Sequence, residues 1–375
     1  TGYLIAGLII GPYCLGIFQE SDAAVTDVLT DVALGFIAFS IGGEFRISHI
    51  KQVGTSSITI TFFQACLATL LVDAALLACG FPAPLSLTLG AIAAATAPAA
   101  TLMVVRQYHA KGEVTSTLLP VVAMDDAVGL MLFSISLPLS QALASNAALT
   151  VTSMLLQPLL EIVLSLAVGA GIGLLIALAM RFFHSKVNRI SVAVAAVLLG
   201  SALASIWNLS SLLLCMAIGA VLVNLRNDAD ELLEITDAWT PPLFMLFFVL
   251  SGAELDLAVV PTVGLLGVVY MVARSLGKYF GSFLGATIAK SSPNIRKYLG
   301  LTLLPQAGVA IGMAQVALNA LPEYGTQIQA VVLTATLIYE LIGPVITKLA
   351  LTAAGEIQDS KKSKAKTEQS AGGAK

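Results

Sequence analysis

The chain has 375 residues, of which 57% are hydrophobic and 11% charged, and its formal net charge is −3. Soluble domains carry about 25% charged residues, so these proportions exclude a soluble globular protein and indicate a polytopic, all-α membrane protein. The sequence contains no GxxxxGK[ST] loop and no dinucleotide fingerprint, which argues against ATP-driven transport by this chain alone. No cofactor and no nucleic-acid partner are expected.

Twelve apolar segments of about 20 residues, the length that crosses a bilayer, follow one another along the chain. They lie near residues 1–18, 25–43, 54–79, 85–105, 117–143, 156–181, 189–206, 209–224, 240–256, 258–288, 297–320 and 326–353. A tail rich in Lys, Ser, Gly and Ala follows over about 356–375, and we expect it to be disordered. Residues 1–355 are therefore predicted to form one transmembrane domain.

The basic residues alternate between the loops that join these segments. The loops after the second, fourth, sixth, eighth and tenth segments contain Lys or Arg, and the intervening loops contain neither. Because cytoplasmic loops attract Lys and Arg, this pattern supports twelve spans and predicts a cytoplasmic C-terminus. Two basic residues, Arg274 and Lys278, are left over from this pattern, and both lie inside the tenth span.

Asp125 and Asp126 lie next to each other in the fifth apolar segment. A carboxylate at that depth costs roughly 2.5–3.5 kcal/mol, so the two must be paired, protonated or in contact with water. Their side chains point about 100° apart around a helix. This geometry favours one carboxylate facing an ion path and the other facing a cation such as Lys278. The alternative is a static buried salt bridge with a second, unused acid.

Arg274 and Lys278 lie four residues apart, hence on one face of the tenth span, and they need carboxylate partners or a water-filled cavity. Glu340, in the middle of the last span, either forms a structural ion pair with Arg274 or contacts the ion directly. The tenth span also carries glycines at every fourth position, a pattern that lets a neighbouring helix backbone approach closely. These are Gly277, Gly281 and Gly285.

Two spans are interrupted by proline, which removes a backbone donor and breaks the hydrogen-bond ladder. The fourth span contains Thr96, Ala97 and Pro98, and the eleventh contains Leu304 to Gly308 with Pro305 and Gln306. The predicted topology runs these two spans in opposite directions. Each break alone could be a simple kink, but the pair together indicates the binding site of an inverted-repeat transporter.

Six short stretches and one lysine form a set of motifs along nearly the whole chain. The motifs are Gly2–Gly7 with Gly11-Pro12 and Leu15-Gly16, Phe39–Glu44, Ala95–Ala100, Asp125-Asp126, Phe248–Asp256, Lys278 and Leu304–Gln306. Through them the chain resembles the monovalent cation:proton antiporter superfamily, in particular its second branch, which has an Asp-Asp pair and includes bacterial Na⁺/H⁺ and K⁺/H⁺ antiporters. Each motif alone is weak, and the combination is specific.

The resemblance implies an inverted-repeat fold of thirteen helices with two crossing broken helices, of which the first helix is missing here. It implies a core (spans near 54–143 and 258–353) that moves in an elevator-like cycle against a dimerisation part (spans near 1–43 and 189–256). The span near 156–181 links the two, and the protein is expected to be a homodimer in the plasma membrane of a bacterium or archaeon.

The family pattern also assigns roles at the site. It makes Asp126 the carrier of the cation and the proton, and it pairs Asp125 with Lys278 when the ion is absent. Position 97 is Ala, where many relatives carry Ser or Asp. The Thr96 hydroxyl and nearby carbonyls would therefore complete the cation site, which leaves the ion selectivity open.

The predicted function is exchange of a monovalent cation for protons, with Na⁺ preferred and Li⁺ or K⁺ as alternatives. Proton release by Lys278 would make the exchange electrogenic. A second hypothesis is a K⁺ efflux system of the Kef type, gated by a separate regulatory chain. A third, an intramembrane aspartyl protease, is disfavoured because that chemistry needs two carboxylates from different helices. We therefore expect a transporter and not an enzyme.

Overall fold

The computed structural model describes residues 2–12, 14–17, 23–43, 45–47, 55–145, 157–183, 185–207, 209–226, 228–253 and 264–357. Throughout these ranges the regular structure is helical. The helices are α1 (Gly2–Ile10), α2 (Ala23–Gly43), α3 (Thr55–Ala78), α4 (Ala83–Ala93), α5 (Pro98–Gln107), α6 (Glu113–Ala144), α7 (Gln157–Ala179), α8 (Lys186–Trp207), α9 (Ser211–Leu225), α10 (Ala229–Trp239), α11 (Pro241–Ala253), α12 (Gly264–Ile288), α13 (Pro293–Tyr298), a 3₁₀ helix (Leu299–Leu303), α14 (Gly308–Ala320) and α15 (Gly325–Ala353).

Five of the described helices are long and apolar enough to cross a membrane by themselves: α3, α6, α7, α8 and α15. The number rises to seven if two helix pairs, each bent by 49°, count as one span each: α10 with α11, and α13 and the 3₁₀ helix with α14. The predicted count of twelve is not confirmed, because several predicted spans appear as short or broken helices. The motif residues Glu44 and Glu254–Asp256 lie outside the described ranges.

The glycine face of α12 packs directly on α3, as its spacing predicts. A Cβ on Gly277 would lie 2.5 Å from Cα of Ala68, and one on Gly281 would lie 2.6 Å from Cα of Gln64. Such distances are shorter than any van der Waals contact, so only glycine allows the two backbones to come this close. The contact fixes α12, which carries Lys278, against α3.

A second set of helices is joined through similar contacts. Gly219 of α9 lies against the backbone of α2 at Phe39, and Gly169 of α7 lies against the backbone of α9 at Leu214. Helix α1 packs on α11, where Gly252 approaches the backbone of Leu4. The predicted division into a moving core and a dimerisation part stays a prediction.

Both predicted breaks are present, and proline has a role in each. Helix α4 ends at Ala93 and α5 begins at Pro98, a residue whose fixed φ and missing N–H suit the first position of a helix. The 3₁₀ helix ends at Leu303, and α14 begins at Gly308. The two extended segments cross, and the backbone N–H of Ala97 donates to the carbonyl of Pro305 over 2.9 Å.

The segment that follows α15 is hydrogen-bonded to the start of α6. The buried carboxylate of Glu356 accepts hydrogen bonds from the backbone N–H groups of Val114 (2.6 Å) and Thr115 (2.8 Å) and from the Thr115 hydroxyl (2.7 Å). These donors are free at a helix N-terminus, where a carboxylate is also favoured by the helix dipole. Glu356 therefore belongs to the folded domain, which corrects the prediction that the disordered tail starts at residue 356.

Ion pairs join the helix ends on the face that the loop charges predict to be cytoplasmic. Arg189 contacts Asp228 (2.7 Å) and Glu231 (2.8 Å), and Arg226 contacts Asp228 (2.8 Å). The hydrogen bond from Arg226 holds the pKa of the Asp228 carboxyl below its usual range. These contacts tie the start of α8 to the loop between α9 and α10.

Candidate functional site

The aspartate pair lies where α6 passes the crossing of the two broken spans. Both residues are buried, Asp125 with 0% and Asp126 with 4% of its surface exposed. Helices α3 and α4 and the 3₁₀ helix pack on α6, and α12 reaches it through the side chain of Lys278. The fold therefore brings together Thr96, Asp125, Asp126 and Lys278, which are far apart in the sequence.

Asp125 accepts hydrogen bonds from three side chains. Its Oδ2 accepts from the Lys278 ammonium, with Nζ at 2.8 Å, and from the Thr96 hydroxyl. Its Oδ1 accepts from the amide of Gln64. Lys278 is fully buried too, and its Nζ also donates to the hydroxyl of Thr96 (2.8 Å) and to the carbonyl of Ala94. The two charges thus neutralise each other in a fully enclosed site.

Asp126 has a different environment. Its Oδ1 is buried and has no hydrogen-bond partner among the described residues. A buried polar oxygen without a partner is costly unless it binds a proton or a cation. The two neighbouring aspartates therefore differ: Asp125 is paired, and Asp126 has an oxygen available for a proton or a cation.

Arg274 holds the carbonyl oxygens that the two breaks leave free. Its guanidinium donates to Ala93 (3.1 Å) and Ala95 (2.7 Å) in the first break and to Leu304 (2.7 Å) in the second. A cation is favoured at these helix C-termini. The guanidinium also lies 4.5 Å from the ring centre of Tyr339. Glu340 is half-buried, and its predicted pairing with Arg274 stays a prediction.

The other predicted residues of the breaks serve the backbone. The carbonyl of Pro305 accepts a hydrogen bond from the backbone N–H of Ala97. The Pro305 ring packs against Gly343, since a Cβ on that glycine would lie 2.7 Å from Cγ of the ring. Pro98 and Gly308 start the second halves of the broken spans. Gln306 is fully buried, and its Nε2 donates to the carbonyl of Ile92 (3.2 Å), a further contact between the two breaks.

Two residues at the site were missed by the sequence reasoning. Gln64 contacts Asp125, and the hydroxyl of Tyr270 lies 2.8 Å from Nε2 of Gln306. Gln64 is an amide within an otherwise apolar span, and that could have singled it out. Tyr270 carries no comparable signal, because an aromatic residue is ordinary in a membrane helix.

A polar cavity approaches the aspartates from the side opposite to the Lys- and Arg-rich loops. Its volume is about 410 Å³, and Asp31, Glu161, Gln141, Asn319 and several serines, including Ser134, line it. Along α6, Asp126, Leu130 and Ser134 succeed one another at one-turn intervals. Leu130 lies among apolar residues of α2, α9 and α14, one of which, Leu212, also lines the cavity. These are Leu34, Ile37, Ala38, Ile41, Leu212 and Val309.

Comparison with known families identifies the arrangement. The transmembrane family of sodium/hydrogen exchangers matches residues 1–353. The chain belongs to this family. The exchanger is thus a multi-pass membrane protein and a cation:proton antiporter, as its motifs predicted. No curated protein matches it.

Solved structures with the same fold come from a sodium proton antiporter, MjNhaP1 of Methanocaldococcus jannaschii. One, determined at pH 8, has a TM-score of 0.72 and 23% identity, and the match covers 95% of the exchanger and 91% of that chain. A second, an electron-microscopy map, has a TM-score of 0.72 and 21% identity over 96% of the exchanger and 92% of that chain. The antiporter fold with crossing broken helices is therefore confirmed.

Proposed function

We propose that this antiporter exchanges Na⁺ for protons, with Li⁺ and K⁺ as alternative cations, and that Asp126 binds both. The observation that carries the proposal is the contrast within the aspartate pair. Asp125 accepts three hydrogen bonds and is paired with Lys278, whereas Asp126 has a buried oxygen that no described residue contacts by a hydrogen bond. One carboxylate can hold a proton or a monovalent cation, but not both, and this competition couples the two fluxes.

The ligands around Asp126 are oxygens, which suit Na⁺ and other hard cations. Ala97 has no side-chain oxygen, so the Thr96 hydroxyl and the carbonyls of the first break would complete the shell. Arg274 already engages the carbonyl of Ala95, and Lys278 that of Ala94. A cation that binds these carbonyl oxygens would therefore have to replace some of their hydrogen bonds to Arg274 and Lys278.

Lys278 links the site to the membrane potential. In the proposed cycle the incoming cation breaks the ion pair, Lys278 gives up its proton, and two protons exchange for one cation. One net charge then moves per cycle, which is worth about 2.3 kcal/mol per 100 mV. Alternating access would come from an elevator-like movement of the helices that carry the site against the α1, α2 and α8–α11 group, to which α7 links them. The protein would be a homodimer in the cell membrane with a cytoplasmic C-terminus.

The test is cation-driven proton movement in proteoliposomes, measured with a pH-sensitive dye for Na⁺, Li⁺ and K⁺. We expect Asp126→Asn to abolish it and Glu234→Gln, which changes an exposed carboxylate on α10, to leave it unchanged. An imposed membrane potential should change the rate of the unmodified protein. Retained exchange in Asp126→Asn would contradict the assignment, and a rate independent of voltage would contradict the two-proton cycle. Cation flux without proton movement would instead favour the gated K⁺ efflux system.

A further inference from the structure

The face of α12 that carries Arg274 and Lys278 also carries Tyr270. The three side chains follow one another at intervals of four residues, hence on one side of the helix, and all three are fully buried. Lys278 contacts Asp125, and Arg274 contacts both breaks. The row therefore faces the crossing of the broken spans, and Tyr270 is the member that the proposed cycle does not use.

The partner of Tyr270 is Gln306 in the second break. Nε2 of Gln306 donates to the Tyr270 hydroxyl over 2.8 Å, and the hydroxyl donates to Oε1 over 3.3 Å. Nε2 also donates to the carbonyl of Ile92 near the end of α4, over 3.2 Å. Because a buried amide needs hydrogen-bond partners, the hydroxyl orients Gln306 toward Ile92. Gln306 thus joins the second break to the first.

Four successive carbonyls at the end of α4 accept hydrogen bonds from two kinds of donor. Three of them accept from the basic side chains of α12, and these are the carbonyls of Ala93, Ala94 and Ala95. The fourth, that of Ile92, accepts from the neutral amide of Gln306. A cation bound in the first break would repel the basic side chains but not an amide. The contact between Gln306 and Ile92 can therefore persist while the cation is bound.

A second neutral contact holds the other end of the same segment. The backbone N–H of Ala97 donates to the carbonyl of Pro305 over 2.9 Å. The contacts at Ile92 and Ala97 therefore bracket residues 93–96, whose oxygens supply the proposed cation shell, and fix both ends of this segment on the second break. The size and stiffness of a cage of oxygens decide which cation fits it.

We propose that Tyr270 is a positioning residue for cation selectivity, which acts through Gln306 and keeps the first break compact enough to favour Na⁺ over the larger K⁺. This inference rests on the proposed function and deepens it, since it names the group that sets the preference among the cations. Without the hydroxyl, the amide of Gln306 would be free to turn away from Ile92, and only the Ala97 end would stay fixed. The oxygens could then move apart, which weakens the binding of a small ion more than that of a large one.

Two substitutions test this contact, and a third controls for packing. Tyr270→Phe removes a single oxygen, and Gln306→Met keeps the length of the side chain and removes its amide. The matched control is Gln315→Met on α14, which removes another buried amide, bonded over 2.8 Å to Gln329. The measurement is cation:proton exchange in proteoliposomes of the full chain. It gives the KM of each cation that is transported and the inhibition constant of each cation that only competes.

We expect Tyr270→Phe to weaken the binding of Na⁺ relative to K⁺ by about fivefold, the size of one neutral hydrogen bond. The loss should be largest for Li⁺, the smallest of the three ions, and smallest for K⁺. Gln306→Met should give the same order. The double variant should lose little more than either single variant, because the two groups act through one contact. Gln315→Met should keep the ratios of the unmodified protein.

The outcomes separate selectivity from packing and from the proposed function. Equal weakening of all three cations, or a lower maximal rate alone, would mean that Tyr270 and Gln306 only pack the crossing, and the inference is then overturned. Effects that add in the double variant would also overturn it, because they would not pass through a shared contact. If Gln306→Met does not fold, Tyr270→Phe decides alone. If the unmodified protein shows no exchange that depends on Asp126, the proposed function fails and the inference falls with it.

Discussion

Single residues at the site are distinguished by the partners that the fold gives them. Asp125 and Asp126 have the same chemistry and neighbouring positions, yet only Asp125 reaches the Lys278 ammonium, at 2.8 Å. Adjacent positions on a helix point in different directions, and this rotation separates a charge partner from a candidate carrier. The Lys278–Asp125 pair is fully buried, so neither charge has water as an alternative partner.

The first prediction at this scale concerns that pair. Lys278→Met should lower the free energy of unfolding by about 3–5 kcal/mol, because it leaves a buried carboxylate without its counter-charge. The double variant Lys278→Met with Asp125→Asn should recover much of this loss, since both charges are then absent. Thermal unfolding in detergent measures the stability of Lys278→Met, of Asp125→Asn and of the double variant. A double variant that is as unstable as the sum of the two single changes would contradict a direct pairing.

The sequence could predict the costly residues of the site but not their partners. Asp125, Asp126, Arg274 and Lys278 stand out because a charge in an apolar span needs an explanation. The carbonyl partners of Arg274 come from two breaks about 200 residues apart in the chain, so they depend on a crossing that no local pattern encodes. Gln64 carries no charge, and its contact with Asp125 arises only when α3 meets α12.

At the scale of helices, close backbone contacts hold the site in position. The α12 glycines were predictable from their four-residue spacing, and their partner helix α3 was not. The breaks were predictable from Pro98 and Pro305, because proline cannot continue the hydrogen-bond ladder. The hydrogen bonds between the Glu356 carboxylate and the start of α6 were not predicted, because Glu356 belongs to a segment whose composition resembles a disordered tail.

The prediction at this scale uses two glycines of the same helix. Gly281→Ala places a methyl group 2.6 Å from Cα of Gln64, so α3 and α12 must separate, and we expect a loss of stability of about 1–3 kcal/mol. Gly267→Ala, also on α12, meets nothing within 4 Å and should leave the melting temperature unchanged or raise it. Equal melting temperatures for the two variants would show that the close approach does not stabilise the protein.

For the whole molecule, the arrangement of polar and apolar layers bears on alternating access. The cavity of about 410 Å³ lies between α6 and α14 on one side and α2, α7, α8 and α9 on the other. Apolar residues of α2, α6, α9 and α14 form a layer beside it, and Asp126 is not among the residues that line it. Water and cations cannot pass an apolar layer at low cost, so we expect access to Asp126 from this side to need a movement of these helices relative to one another.

A disulfide across this layer tests the movement. Leu34 on α2 and Gly312 on α14 are close enough to be bridged, because a Cβ on Gly312 would lie 2.3 Å from Cδ2 of Leu34. With the four native cysteines replaced by Ala, Leu34→Cys with Gly312→Cys should stop exchange when oxidised and recover it when reduced.

The matched pair Gly43→Cys with Leu233→Cys has similar geometry, with 2.6 Å between the Gly43 Cβ position and Cδ1 of Leu233. It joins α2 to α10, both within the group predicted to stay fixed, so its oxidation should leave exchange intact. Exchange that continues across an oxidised Leu34–Gly312 bridge would contradict an elevator-like movement between these helices.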